Sequence, residues 1–182
     1  MSASYEVVSV WRVAGPRREV TTILSDPESL ARWWPAVYLD VLVRERGGPD
    51  GVGGVADLHT KGWLPYTLRW RLTITEPITV AGFALSADGD LRGLGRWTFE
   101  QDGPEVAITY DWRVSATKPL LRRLNWLFRP VFEANHRWAM ARGAESLRLE
   151  LCRRRASNEA ERARVPAPPR GTFPWLPGRR RS

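Results

Sequence analysis

Residues 66–74 alternate strictly between apolar and polar. Tyr66, Leu68, Trp70, Leu72 and Ile74 are interleaved with Thr67, Arg69, Arg71 and Thr73. A period of two places the first set on one face of a strand and the second on the other, as in a sheet with one buried and one wet face. Val106, Ile108, Tyr110, Trp112 and Val114 repeat the pattern, and Leu91, Trp97 and Phe99 share a parity opposite to Arg92, Arg96 and Glu100. Strands are predicted over 4–13, 37–46, 52–61, 65–76, 79–87, 90–100 and 104–114, parted by Gly, Pro and Asp clusters such as 47–51. Residues 16–25 and 27–33 read as two short helices, the second opened by Ser25-Asp26-Pro27.

The period changes after Pro119. Phe132, His136, Ala139, Met140, Gly143, Leu147 and Leu151 recur at steps of three and four, one stripe of a long helix over 119–151, kinked or broken near Pro130. Glu133, Arg137, Ala144, Glu145 and Arg148 fall beside or opposite that stripe, and Val131, Ala134, Trp138 and Leu149 form a weaker second patch for the short helices or a second subunit. An apolar stripe of this length needs a surface to cover it, and Gly143 admits a close approach. The order is strand, two short helices, six strands, long helix. It predicts an α+β fold in which a seven-stranded antiparallel β-sheet, its strands two to seven joined by short turns, curls round a long C-terminal α-helix.

Composition changes this picture at the C-terminus. The net charge is +8, but residues 152–182 carry nine arginines against Glu159 and Glu161, so residues 1–151 are close to neutral. Proline-rich, without a period and poor in aliphatic residues, this basic tail is expected to be disordered. The tail's arginines suggest phosphate binding. Against that, the tail has only Phe173 and Trp175 for base stacking, and arginine outnumbers lysine 26 to 2 along the whole chain, a coding bias as much as a partner signal. No specific nucleic-acid partner is expected. A single cysteine, Cys152, excludes an internal disulfide and, with no signal-like apolar stretch at the N-terminus, suits a cytoplasmic protein.

Candidate chemistry lies on the apolar parities. Trp70, Trp97, Trp112, Tyr66 and Tyr110 either fill a core or line a cavity, stacking on a flat apolar ligand while their polar tips orient it. Trp34, with Trp33 and Pro35, falls where the short helices meet the sheet, as a gate or a plug. Met140 and His136 lie on the helix stripe; His136 is either a satisfied core histidine or a weak candidate for proton transfer. Asp57, His59 and Lys61 alternate on strand three, opposite Leu58, and are expected on the solvent face. Two histidines and one cysteine leave no basis for a metal site, and no cofactor motif is present. Arg122, Arg123, Trp126, Leu127, Phe128 and Arg129 offer a basic-aromatic patch for transient membrane contact, or ordinary helix-end packing.

The element order, Trp33-Trp34-Pro35, the turn-linked meander and Asn135-His136-Arg137-Trp138 in the last helix together resemble the START-like, or SRPBCC, superfamily over residues 4–151. That group includes birch-pollen-allergen-like and polyketide cyclase/dehydratase proteins. The resemblance implies a helix-grip fold enclosing an apolar cavity, and binding of a lipid-, polyketide- or aromatic-like small molecule. It extends to two alternatives: a polyketide cyclase/dehydratase-like enzyme using the same cavity, with His136 or a tyrosine moving a proton, and, from the tail alone, an adaptor for membrane or nucleic acid. A monomer or homodimer is expected.

Overall fold

The computed structural model describes residues 4–116 and 125–172. Its elements are β1 (Ser4–Ala14), α1 (Arg17–Leu24), a 3-10 turn (Pro27–Ser29), α2 (Leu30–Trp33), β2 (Tyr38–Glu45), β3 (Val55–Lys61), β4 (Thr67–Ile74), β5 (Gly82–Gly89), β6 (Leu91–Asp102), β7 (Glu105–Ala116), α3 (Asn125–Arg155) and α4 (Glu159–Arg164). The seven strands form one antiparallel sheet in the order β1-β7-β6-β5-β4-β3-β2, and α3 lies in its curl, a helix-grip fold. The β6–β7 hairpin is tight: Asp102 pairs with Glu105, and Gly103 takes the left-handed conformation that the turn requires.

β1 and β2 are the two edges of the sheet, so the chain between them must cross from one side to the other. The short helices make that crossing. They send Val20, Ile23, Leu30 and Trp33 into the same core as Val13, Leu58, Phe99, Val106 and Ile108. β2 carries register shifts between Tyr38 and Asp40 and between Val43 and Glu45, irregularities tolerated at an edge.

α3 runs through Pro130 as one helix from Asn125 to Arg155. Its expected beginning at 119, and the side chains of the basic-aromatic patch, lie outside the described residues. Met140, Gly143, Leu147 and Leu151 are buried as the stripe predicts, but so are Ala144, Ser146 and Glu150. The buried face is broader than one stripe because α1 and α2 also pack on this helix. Trp138, placed by sequence on the second patch, packs partly buried against the core. Among the described residues no helix is long and apolar enough to cross a membrane.

Residues 152–155 and 159–164 of the tail expected to be disordered are helical. α3 continues through Arg155, and α4 follows, capped by the Asn158 side chain, which accepts from the Glu161 N–H at 2.9 Å. Arg153, Arg154, Arg155 and Arg162 have intramolecular carboxylates. Glu150, 1% exposed, takes a bidentate pair from Arg32 (3.0 and 2.8 Å), with further bonds from Arg154 (2.8 Å) and Arg153 (3.3 Å). Arg155 reaches Glu19 and the carbonyl of Ala14, Arg153 donates to the Pro166 carbonyl, and Thr172 Oγ1 donates to the Trp63 carbonyl at 3.1 Å. Composition registers a charge excess but is blind to the partner each charge meets.

Candidate functional site

The inner face of the sheet is paved with rings. Trp97 on β6 stacks on Tyr110 of β7 with centroids 4.0 Å apart, Tyr110 on Trp112 at 5.4 Å, and Trp70 of β4 meets Trp112 at 5.7 Å. Gly95 makes this possible. A Cβ there would lie 2.8 Å from both the Trp112 ring and the Tyr110 hydroxyl, closer than real contacts allow. At the end of α2, the Trp34 backbone N–H donates to the Leu30 carbonyl, and the Trp34 ring is set among Trp11, Trp33 and Tyr38 with centroids 5.3–5.5 Å away.

This paving does not close into solid packing. A void of about 170 Å³ lies beneath α3, roofed by Phe132, His136, Ala139 and Met140. A second, of about 300 Å³, lies beneath the connector from α1 to α2, walled by Val43, Leu72, Ile74, Phe83, Leu85 and Trp97 among others. Tyr38, Trp70 and Tyr110 line both. Of the residues singled out from sequence, Trp34, Tyr66, Trp70, Tyr110, Trp112, His136 and Met140 border the smaller void, whereas Trp97 borders only the larger.

Few polar atoms face this interior, and their bonding differs. Trp70 Nε1 donates to Thr60 Oγ1 at 3.0 Å. The Trp34 indole N–H, on a residue 3% exposed, has no acceptor among the described residues. Neither the Tyr38 nor the Tyr110 hydroxyl bonds a described protein group. Burial raises the pKa of both, with Tyr38 adding to the effect on Tyr110; burial, then the neighbouring Tyr5, pushes Tyr66 up to about 12. All three stay neutral hydroxyls. His136 Nε2 meets Ser9 Oγ on β1 at 3.2 Å, and burial lowers its pKa to about 4, so the imidazole is neutral at pH 7. Its neighbour Asn135 faces the β3–β4 connection instead, where Oδ1 accepts from the backbone N–H of Trp63 (2.8 Å) and Leu64 (3.3 Å).

On β3, Ala56, Leu58 and Thr60 point inward and Asp57 outward, between Arg44 and Arg71. His59 and Lys61 share the outward parity yet are buried; Lys61 lies beside the returning segment at Gly171 and also borders the smaller void. No group of three or more His, Cys, Asp or Glu among the described residues is placed to hold a metal.

A family model described as polyketide cyclase/dehydrase and lipid transport matches residues 5–151. The chain belongs to that family. Solved structures similar to this family member include a protein from Thermus thermophilus, at 17% identity and TM-score 0.67, covering 84% of this chain and 100% of that one. The ZhuI aromatase/cyclase from Streptomyces sp. R1128 is similar at 19% identity and TM-score 0.65, covering 85% and 98%. A norcoclaurine synthase from Thalictrum flavum is similar at 15% identity and TM-score 0.57, covering 83% and 98%. At these identities the likeness is one of fold. Sequence comparison with curated proteins finds no match.

Sequence reasoning missed Tyr38, Thr60 and Ser9. Thr60 was legible from strand parity, two residues beyond Leu58. Ser9 shares the inward parity of Val7 and Trp11, and its pairing with His136, 127 residues away, leaves no local signal. Tyr38 begins the irregular edge strand, where alternation carries little information.

Proposed function

We propose that this family member binds an apolar, ring-bearing small molecule in the space between sheet and α3. The observation that carries the reading is a void walled by stacked rings and bordered by Trp34, whose indole N–H has no partner among the described residues. Buried donors are normally bonded, and a guest with an oxygen acceptor would satisfy this one while burying apolar area worth about 25 cal/mol per Å². The test is mass spectrometry of small molecules released from protein purified from its native host, with calorimetric titration of 2-naphthol into Trp34→Phe and wild type. An apolar oxygenated guest, and weaker naphthol binding by the variant, support the reading. No released molecule and no heat of binding refute it.

A polyketide cyclase-like activity is the second reading, supported by the family and by the His136–Ser9 pair beside the void. With its pKa near 4, His136 is a weak base at neutral pH, so its part would be to hold a carbonyl or enol by hydrogen bonding while the cavity folds the chain. Turnover of a poly-β-ketone by wild type and not by His136→Ala supports it; equal turnover by both removes His136 from the mechanism.

A further inference from the structure

The two voids share a wall of three aromatic residues. That wall is Tyr38, Trp70 and Tyr110. Trp70 is held by Thr60, but the hydroxyls of Tyr38 and Tyr110 bond no described protein group, and Tyr38 leaves β2 at a register shift. Tyr110 is fixed between Trp97 and Trp112, so the member of this wall that can yield by rotamer change is Tyr38. Volumes bear on the same point. The smaller void, about 170 Å³, is the size that admits a single benzene-like ring. The larger, about 300 Å³, only reaches the lower end for small-molecule sites. Joined, they fall well within that range.

We infer that the two voids are subsites of one site, and that its guest is an elongated molecule with an apolar ring in each lobe and an oxygen-bearing link at the Tyr38–Tyr110 partition. This rests on the binding reading above and specifies its ligand class. The link oxygen accepts from the two phenols, which bond no described protein group. The far end of the guest in the smaller lobe meets the Trp34 N–H, so a second oxygen belongs there. The larger lobe opens between the 3-10 turn and the β2–β3 connection, where Arg46 donates to Glu28 at 2.7 Å across the mouth. Both partners are exposed, so parting them costs little.

The test uses the full chain and three probes in calorimetry: chalcone, two rings joined through a carbonyl; trans-stilbene, two rings with no oxygen; and 2-naphthol, compact. Val43→Trp fills the larger lobe and Ala139→Phe the smaller. Chalcone is expected to bind one to one and to lose about ten-fold or more in affinity in each variant, as loss of one ring's burial requires. Naphthol is expected to respond to only one of them. A Tyr38→Phe/Tyr110→Phe double variant, which leaves packing intact, is expected to abolish the preference for chalcone over stilbene. Two chalcones per chain, indifference of chalcone to either filled lobe, or an unchanged preference in the double variant overturns the inference. If naphthol binds wild type and chalcone does not, the spanning site fails alone; if neither binds, the binding reading fails and takes this inference with it.

Discussion

Replacing Gly143 by Ala separates two forces that point in opposite directions. In a helix interior the change stabilises by about 1 kcal/mol through backbone entropy. Here a methyl at Gly143 would lie 2.6 Å from Cε2 and 2.7 Å from Cη2 of Trp34, about 1 Å inside ordinary van der Waals contact. The indole is not a flexible tip. Trp11, Trp33 and Tyr38 surround it, so it escapes toward the smaller void. Overpacking of a held ring costs roughly 1–3 kcal/mol, so the net expectation is a loss of about 1 kcal/mol. In urea unfolding, with a slope near 2 kcal/mol/M, the midpoint falls by about 0.5 M at unchanged slope. Naphthol affinity falls with it, because the displaced ring occupies the guest's space. A rise of the midpoint by a similar amount, with unaltered binding, would mean that helix propensity alone governs this position and that the contact with Trp34 is not made.

Three further outcomes follow from the site and its supports. Glu150→Gln removes a buried carboxylate that three arginines share, and those arginines can rehydrate; a loss of roughly 2 kcal/mol is expected, read as a fall of about 4–8 °C in Tm. Burial opposes ionisation of Glu150, but the hydrogen bonds from Arg32 and Arg154 win and hold its pKa below the ordinary 4.5, so wild type loses this stability as pH falls from there while the variant has none to lose. His136 loses stability in the same direction for a different cause, burial: the unfolded imidazole takes a proton near 6.5 and the folded one only near 4, so stability drains between those values on acidification, by up to about 3 kcal/mol, and His136→Gln flattens that stretch; NMR titration showing an imidazole pKa above 6 for His136 contradicts this. Asn135→Ala frees the N–H groups of Trp63 and Leu64, and hydrogen exchange at those two amides is expected to rise at least ten-fold, about 1.4 kcal/mol, with the strands on either side unchanged.

Elements with a clean period were readable in advance, and elements without one were not. The alternation of 66–74 and 106–114 gave the buried parity of Trp70, Tyr110 and Trp112, because a half-wet sheet imposes it. The stripe from Phe132 to Leu151 gave the roof of the void and the helix's approach at Gly143. It could not give Ala144, Ser146 or Glu150, which are buried by α1 and α2, elements distant in the chain. Trp97 shares its parity with Trp112 in kind but lies farther along the sheet, beneath the connector, so it borders only the larger void. Parity selects a face; it does not select a position along the curl. Cys152 and the arginines after it read as the start of a featureless tail, because the carboxylate that Arg155 meets, Glu19, lies 136 residues away and leaves no trace in local composition.

The family pattern stops at residue 151, but the mechanical unit does not. A fragment excised there for fusion or library screening would shed Arg153 and Arg154, leaving a carboxylate lodged in the interior with one guanidinium to neutralise it. It would also unfasten the rivet by which Arg155 clamps α3 to Glu19 and the end of the first strand. Such a fragment is expected to express poorly, for a reason unrelated to whatever the cavity holds.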